Sequence, residues 1–430
     1  MAVLFELIGK VNSFVWGPPM MVLLIGTGLW LTVGTRFIQV RRFIPAFRLL
    51  LKGAFRKRPS EKESGDITPF QALMTALSAT VGNGNIAGVA TAIALGGPGA
   101  PVWMWLTGLV GMATKYGEAF LGVRFREASP DGTMSGGPMY ALKNGLGLPW
   151  LGGVFALFGA VAAFGIGNMV QANSVALVFK SELGIPVLVT GLALAVLTWL
   201  VIIGGVRRIA GVAEILVPVM CTAYILGGLS IILIRFTDIP GAFALIFESA
   251  FSGHAAVGGF AGAGVAQAIR YGVARGIFSN EAGIGSAGIA HGAAKTHSPH
   301  QQGSIAMMGV FIDTILINTM TTLAIVLTGV WTSGETSTIL TAMAFTEVLG
   351  PAGGWIVAFG SIAFGYSTLL TWSYYGLKCS NYLFGIRASL PYRWLWCIAI
   401  VFGALFSDQV SGVKFIWNLA DAVNGAMSIP

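Results

Sequence analysis

Charge is what this 430-residue sequence has least of. Only 10% of its residues are charged, 25 Lys and Arg against 17 Asp and Glu, where a soluble domain carries about 25%. A chain this poor in charge lacks the polar surface to stay in water, which excludes a soluble enzyme and intrinsic disorder. Cysteine is scarce too. Cys221, Cys379 and Cys397 are scattered in or near apolar segments, with neither a metal-ligand spacing nor a disulfide framework. No G-x-x-x-x-G-K-[ST] stretch occurs, so nothing prepares the chain for ATP hydrolysis. His291, His297 and His300 cluster without HExxH or Cys/His spacing and read as loop histidines. The N-terminus lacks a basic n-region and a small-residue cleavage site, so it reads as a mature terminus, not a signal peptide.

What is present is apolar. Hydrophobic residues make up 55% of the chain, and the mean hydropathy is +0.79. Glycine contributes 60 residues, about twice the usual share, which fits close helix packing and interrupted helices in a bilayer. A helix needs about 20 apolar residues to cross the hydrocarbon core. Eleven segments meet this expectation: 14–33, 70–95, 100–123, 151–179, 186–204, 211–234, 262–290, 304–330, 354–377, 392–407 and 413–430. The expected fold class is therefore an all-α polytopic membrane protein. The last segment stops at Pro430 while still apolar, as a truncated helix would.

The basic residues orient the chain. Residues 34–67 carry Arg36, Arg41, Arg42, Arg48, Lys52, Arg56, Lys57, Arg58 and Lys62, and Arg124, Arg126, Lys143, Arg207, Arg208, Lys295, Lys378, Arg387 and Arg393 fall on the same side. Only Lys10, Lys180, Arg235 and Lys414 fall opposite. The positive-inside rule then puts the N-terminus outside and the C-terminus in the cytoplasm. Within 41–55, Phe43, Ile44, Phe47, Leu50 and Leu51 share one helical face. The segment reads either as an interfacial helix held by anionic lipid or as a solvated basic loop. Both readings explain the basic balance without nucleic acid.

Two long helices are interrupted mid-span. The second carries Ser78-Ala79-Thr80-Val81-Gly82-Asn83-Gly84-Asn85, and the seventh Phe278-Ser279-Asn280-Glu281-Ala282-Gly283. Five helices apart, they cross in opposite senses, so helices two to six and seven to eleven are candidates for an inverted repeat. Matching Gly-interrupted segments are the best sequence pointer to a midplane binding site. Free N–H groups at a half-helix start suit a carboxylate, and free carbonyls suit a hard cation. Gly alone would explain tight packing, but not Asn83, Asn85, Ser279, Asn280 and Glu281 at membrane depth. Gly283-x-Gly285-x-x-Gly288 matches a dinucleotide fingerprint without the strand that motif requires.

Intramembrane acids are costly unless used. Asp313, inside the eighth helix, reads as a cation ligand, a proton carrier or a partner for Arg270 or Arg275. Glu281 sits in the seventh-helix break. Lys115 and Glu118 are spaced for a local pair, Glu214 for a pair with Arg207 or Arg208, and Asp421 has Asn424 as its polar neighbour. In the ninth helix Ser367 and Thr368 offer hydroxyl oxygens, with Trp372 one turn on; they suit a weak cation site or bond back to their own carbonyls. Gln171 lies near Asn168 and Asn173 in the fourth. No nucleophile–base constellation and no charged ring or carbonyl filter favours an enzyme or a channel.

At these residues the sequence resembles the alanine or glycine:cation symporter family, sodium-coupled amino-acid carriers of prokaryotic plasma membranes. The resemblance runs nearly the whole length. It is most specific at SATVGNGNIAGVATAIALGGPGAPVWMW (78–105) and RYGVARGIFSNEAGIGSAGIAHGAA (270–294), supported by FIDTILINT (311–319) and TWSYYG (371–376). The family commonly has G-T-G-N where this chain has Gly82-Asn83-Gly84-Asn85, a departure within the binding loop. The resemblance implies a leucine-transporter-like architecture. It would consist of an N-terminal helix with a basic amphipathic segment (1–67), a first five-helix repeat (68–236), and a connection plus the inverted repeat (237–430). By the same resemblance, backbone N–H groups of Asn83 and Gly84 would hold a substrate carboxylate. Asn85, Thr80 and Ser279, with Asp313, would flank one sodium ion. Ser78 and Val81 carbonyls with Ser367 and Thr368 would form a second sodium position. The Phe278–Gly283 break would face the amino group, and Gln171 and Trp372 would wall a pocket sized for alanine or glycine. The implied activity is inward symport of sodium with a small neutral amino acid, with membrane lipid as surroundings and neither nucleic acid nor an obligate protein partner. A proton-coupled carrier, with Asp313 or Glu281 titrating, is the nearest alternative.

Overall fold

A computed structural model of the chain describes residues 15–55, 64–251, 264–408 and 410–430. The N-terminal stretch with Lys10, and the basic residues Arg56, Lys57, Arg58 and Lys62, lie outside the described residues. Apart from one short hairpin, β1 (Glu127–Ala128) with β2 (Met134–Ser135), the described secondary structure is helical. In chain order the helices are α1 (Pro18–Gly34), α2 (Phe43–Phe55), α3 (Pro69–Thr80), α4 (Val89–Gly96), α5 (Ala100–Arg124) and α6 (Pro138–Gly145). Then follow α7 (Pro149–Ala162), α8 (Val170–Leu183), α9 (Val187–Ile202), α10 (Gly205–Ile234) and α11 (Ile239–Phe251). The second half holds α12 (Val265–Asn280), α13 (Ala287–Gly292), α14 (Pro299–Val310), α15 (Asn318–Thr328) and α16 (Ser337–Leu349), then α17 (Pro351–Phe384), α18 (Ser389–Leu405) and α19 (Val410–Met427).

Among the described residues, five helical stretches are long and apolar enough to cross a membrane: Pro149–Ser181, Gly205–Ile234, Pro299–Thr328, Pro351–Phe384 and Ile386–Leu405. The other expected segments also fall on helix where they are described; 100–123 is the unbroken α5, and 70–95 and 262–290 are broken. Outward side chains of the helices remain apolar: Trp30 is 72% exposed, Ile215 71% and Leu233 64%. Water would not tolerate so much open apolar surface, whereas lipid does. Three further helices, α6, α11 and α16, come from stretches between the expected spans. α16 packs against α17, and its Thr341 hydroxyl donates to the Ile86 carbonyl in the second-helix break (3.0 Å). α11 packs on α5.

Local chemistry sets the boundaries. Proline opens α3, α5, α6, α7, α14 and α17 in the first helical turn, where no N–H is needed. Thr68 and Gln71 close a reciprocal cap on α3, at 3.0 Å in each direction. Arg36 and Phe37 both take left-handed backbone (φ 55° and 57°). That conformation costs about 1–3 kcal/mol for each non-glycine residue, and it turns the chain from α1 back into α2. Residues 43–55 are thus an amphipathic helix rather than a loop, with Ile44 and Phe47 exposed and Ala46 buried against the body.

Three π-helical segments interrupt the α-helices: Gly84–Gly88, Ala163–Met169 and Phe311–Ile317. Each widens its turn by one residue, a distortion that concentrates at functional sites. Gly84–Gly88 and Phe311–Ile317 meet in one buried polar cluster through Asn85 and Asp313.

Candidate functional site

Both interrupted spans are broken. α3 ends at Val81, whose backbone is extended, and regular helix resumes only after the Gly84–Gly88 π turn. α12 ends at Glu281 in left-handed backbone (φ 54°); Gly283 and Gly285 follow at φ 97° and 87° before α13 begins. Positive φ at these two positions is a conformation glycine adopts without steric cost. The two breaks touch. A Cβ added to Gly84 would lie 3.3 Å from the Phe278 ring.

Asn85 is the centre of the cluster and is fully buried. Its Oδ1 accepts from the Gly82 N–H (2.9 Å), which holds the broken turn. Its Nδ2 faces four oxygens: Asp313 Oδ1 and Asn318 Oδ1 at 2.8 Å, Ser279 Oγ at 3.1 Å and the Asp313 carbonyl at 3.3 Å. An amide nitrogen has only two hydrogens to donate, so more oxygens converge on this point than it can satisfy. Ser279 and Thr314 hydroxyls donate to Asp313 Oδ2 (2.9 and 2.8 Å), and Asn318 Nδ2 donates to Ser279 (3.1 Å). Among the described residues the Asp313 carboxylate therefore has only neutral donors as hydrogen-bond partners. Such an oxygen-rich, buried set has the chemistry that hard cations select.

A second set of oxygens joins α3 to α17. Ser78 Oγ donates to the Ser367 carbonyl (2.7 Å), while Ser367 Oγ and Thr368 Oγ1 both lie within reach of the Ser78 carbonyl (3.3 and 3.2 Å). Each hydroxyl also reaches Phe364 O at 2.9 Å. The back-bonding geometry and the inter-helix geometry thus coexist at the same two side chains. Val81, the remaining member of this set, is fully buried at the end of α3.

Asn83 and Gln171 meet directly, Nδ2 to Oε1 at 3.0 Å, and Gln171 Nε2 anchors on the Ile166 carbonyl in the second π segment. Asn83 Oδ1 is buried without a hydrogen-bond partner among the described residues. Trp372 packs onto Gly167, where a Cβ would overlap the indole. The indole N–H donates to Glu281 Oε1 (3.0 Å), whose Oε2 accepts from Ser286 (2.5 Å). Outside Phe278 lies a cavity of about 240 Å³ bordered by Trp16, Arg270, Tyr271 and Asp421. Arg275 spans it, 5.3 Å from the Phe278 ring centroid and 3.2 Å from Asp421.

Several expected positions fall elsewhere. Thr80 turns its hydroxyl back onto Ala76 and Leu77 (3.3 and 3.4 Å). Gly283 lies away from the oxygen cluster, its N–H donated to Glu118 at 2.6 Å. Glu118 also takes the Gly285 N–H (3.2 Å), while its Oε2 is 4.0 Å from Lys115 Nζ. It caps the broken backbone more than it pairs with the lysine, because free N–H groups there need an acceptor. Asp313 is not the arginine partner: Arg275 pairs with Asp421, whose backbone carbonyl holds Trp16 (2.9 Å). Glu214 accepts from Gln71 (2.9 Å), and Arg207 approaches Asp66 (3.9 Å). His291 is a buried helix residue bonded to Gln302 (2.7 Å), and His300 bonds Tyr116 (2.6 Å), so neither is a loop histidine.

Asn318, Thr314 and Thr321 are cluster members that the segment reading did not single out. Thr321 Oγ1 donates to the Asn85 carbonyl (2.8 Å). Asn318 follows Asp313 by five residues, a spacing that points apart on an α-helix. The π segment 311–317 brings the two side chains to one amide.

An all-helical membrane body with two broken spans meeting at a buried oxygen cluster is the build of a secondary transporter. Solved structures agree at the level of the fold. A mutant manganese transporter from Eremococcus coleocola superposes with a TM-score of 0.54 at 13% identity, covering 87% of this chain and 78% of that one. The chain belongs to the sodium:alanine symporter family, whose model matches residues 1–430. It is accordingly a cation-coupled amino-acid symporter and not an enzyme. It is 49% identical to the sodium/alanine symporter AgcS of Methanococcus maripaludis, covering 99% of this chain and 92% of the relative. It is 35% identical to a putative sodium/proton-dependent alanine carrier protein, YrbD, of Bacillus subtilis, over 98% and 87%.

Proposed function

We propose that this chain carries sodium and a small neutral amino acid, alanine or glycine, inward across a prokaryotic plasma membrane by alternating access. Eleven spans, an inverted five-helix repeat over 68–236 and 237–430, an outside N-terminus and a cytoplasmic C-terminus complete the reading. The observation that carries it is the convergence of Asn85, Ser279, Asp313 and Asn318, from both broken spans and the π segment of 311–317, on one buried point. A sodium ion held there draws the two breaks together. The substrate carboxylate binds the free N–H groups beside Asn83 and Gly84. The partnerless Asn83 Oδ1 supplies an acceptor for the ammonium group. Ser78, Val81, Ser367 and Thr368 hold a second sodium ion and tie α3 to α17. Gln171, Phe278 and Trp372 enclose the side chain. A simple apolar pocket rejects one added methylene by only about 1–3 kcal/mol, so the packed Trp372–Gly167 wall must act as a steric stop. The relatives' names, a sodium/alanine symporter and a putative sodium/proton-dependent alanine carrier, support this substrate and ion.

In proteoliposomes, Asn85→Ala and Thr368→Ala are expected to abolish sodium-driven alanine uptake while purifying as folded, monodisperse protein. Normal uptake by both variants refutes the site assignment. A proton-coupled cycle draws support from the neutral surroundings of Asp313; it requires uptake driven by a pH gradient without sodium, and sodium-dependent alanine binding counts against it.

A further inference from the structure

Away from the broken spans, a cavity of about 820 Å³ lies between α1, α2, α5 and α14. Its rim carries Arg41 and Arg42 together with Ser298 and Gln301, and no residue bordering it is acidic. Among the described residues neither arginine forms an ion pair. His300, on the same rim, is held in place by the Tyr116 hydroxyl at 2.6 Å. The walls turn apolar with Leu31, Phe120 and Leu121. A neighbouring cavity of about 530 Å³, lined mostly by apolar residues, shares Leu31, Gly117 and Leu121 with the first. The two adjoin through this shared wall, the first with a cationic rim and the second apolar apart from Glu118 and a few hydroxyl groups. Beside it α2 presents Ile44 and Phe47 outward, 61% and 43% exposed, as a helix lying at the bilayer interface does.

A small free anion would engage the two guanidinium groups and leave the apolar length unfilled. An amphiphile uses both: its phosphate meets Arg41 and Arg42 as paired planar donors, and an acyl chain lies along Leu31, Phe120 and Leu121. We propose that this cavity is a binding site for an anionic glycerophospholipid of the leaflet bathing α2. The lipid bridges α1 and α2 to α5 and α14, and α5 in turn caps the Gly283–Gly285 break through Glu118. The proposal needs the membrane setting only, not the orientation of the chain.

The test is thermal unfolding of the purified full chain in neutral detergent, with added phosphatidylglycerol or phosphatidylcholine, alongside native mass spectrometry. Phosphatidylglycerol should raise the unfolding temperature and remain bound, and phosphatidylcholine should not. Arg41→Gln/Arg42→Gln should weaken phosphatidylglycerol binding about tenfold while keeping the lipid-free unfolding temperature. Arg48→Gln/Lys52→Gln, on α2 but outside the cavity, should retain the response. If the double arginine variant fails to fold, each single substitution should give an intermediate loss. Equal loss in both double variants means unspecific surface charge, and an equal response to inorganic phosphate means a free-anion site; either result overturns the proposal, as does no response in the wild type.

Discussion

Asn318 is the residue that most sharpens the site. Its side chain reaches both Asn85 and Ser279, so it links the two broken spans without belonging to either. Replacing it with Ala removes one oxygen from the proposed cation site and leaves Ser279 and Asn85 each without one partner. A hydrogen bond in such a buried network is worth about 1–2 kcal/mol, or about tenfold in affinity. Asn318→Ala should therefore raise the sodium concentration for half-maximal uptake about tenfold, with a smaller change in the apparent alanine affinity at saturating sodium. Ion titrations of uptake check this; an unchanged sodium dependence would remove Asn318 from the cation site.

At the scale of elements, the start of the first broken span and the end of the second are tied together by one side chain. Arg126, just beyond α5, donates to the carbonyls of Gly292 (3.0 Å), Ala294 (2.6 Å) and Thr296 (2.7 Å) after the second break, and to Ser64 O (3.0 Å) ahead of α3. A parallel bridge between Ile67 and Ala294 runs beside it. Burial lowers the Arg126 guanidinium from its ordinary range and the Asp66 carboxylate pulls it back up, so the group stays cationic. In the proposed alternating-access cycle, a clamp of this kind releases when the site opens inward. Arg126→Ala should cost about 2 kcal/mol of stability and make a cysteine introduced at Ser279 react faster with a thiol reagent from the cytoplasmic side. Unaltered labelling rates would show that the clamp does not gate access.

For the whole molecule, the orientation proposed from the basic residues has a direct test. The native cysteines Cys221, Cys379 and Cys397 are all buried and free, so background labelling is low. With an impermeant maleimide on intact cells, Ser181→Cys should react, whereas Asp131→Cys, on the hairpin loop after α5, should react only after lysis. The reverse pattern would invert the topology and, with it, the direction assigned to transport.

Much of this protein is legible in its sequence. Scarce charge and long apolar runs require membrane helices, because a bilayer offers backbone groups no other partners. The polar, Gly-rich stretches 78–88 and 278–288 mark the breaks, since isolated asparagines and a glutamate at membrane depth need a reason beyond packing. Which groups meet was legible only through the family resemblance, as for Asn85, Ser279 and Asp313, and otherwise not. Asn83 lies 88 residues from Gln171, and Trp372 lies 91 from Glu281; no local spacing announces such pairs. The pairing of Arg275 with Asp421 rather than Asp313, and the capping role of Glu118, depend on which helices become neighbours. The meeting of Asp313 and Asn318 at one amide depends on a π turn that α-helical periodicity conceals. Sequence by itself determined the solvent, the elements and the two weak points of the helices, because these follow from local composition. Only the tertiary structure decided which polar groups share the buried cluster, because such a cluster is defined by distances between segments that are remote along the chain.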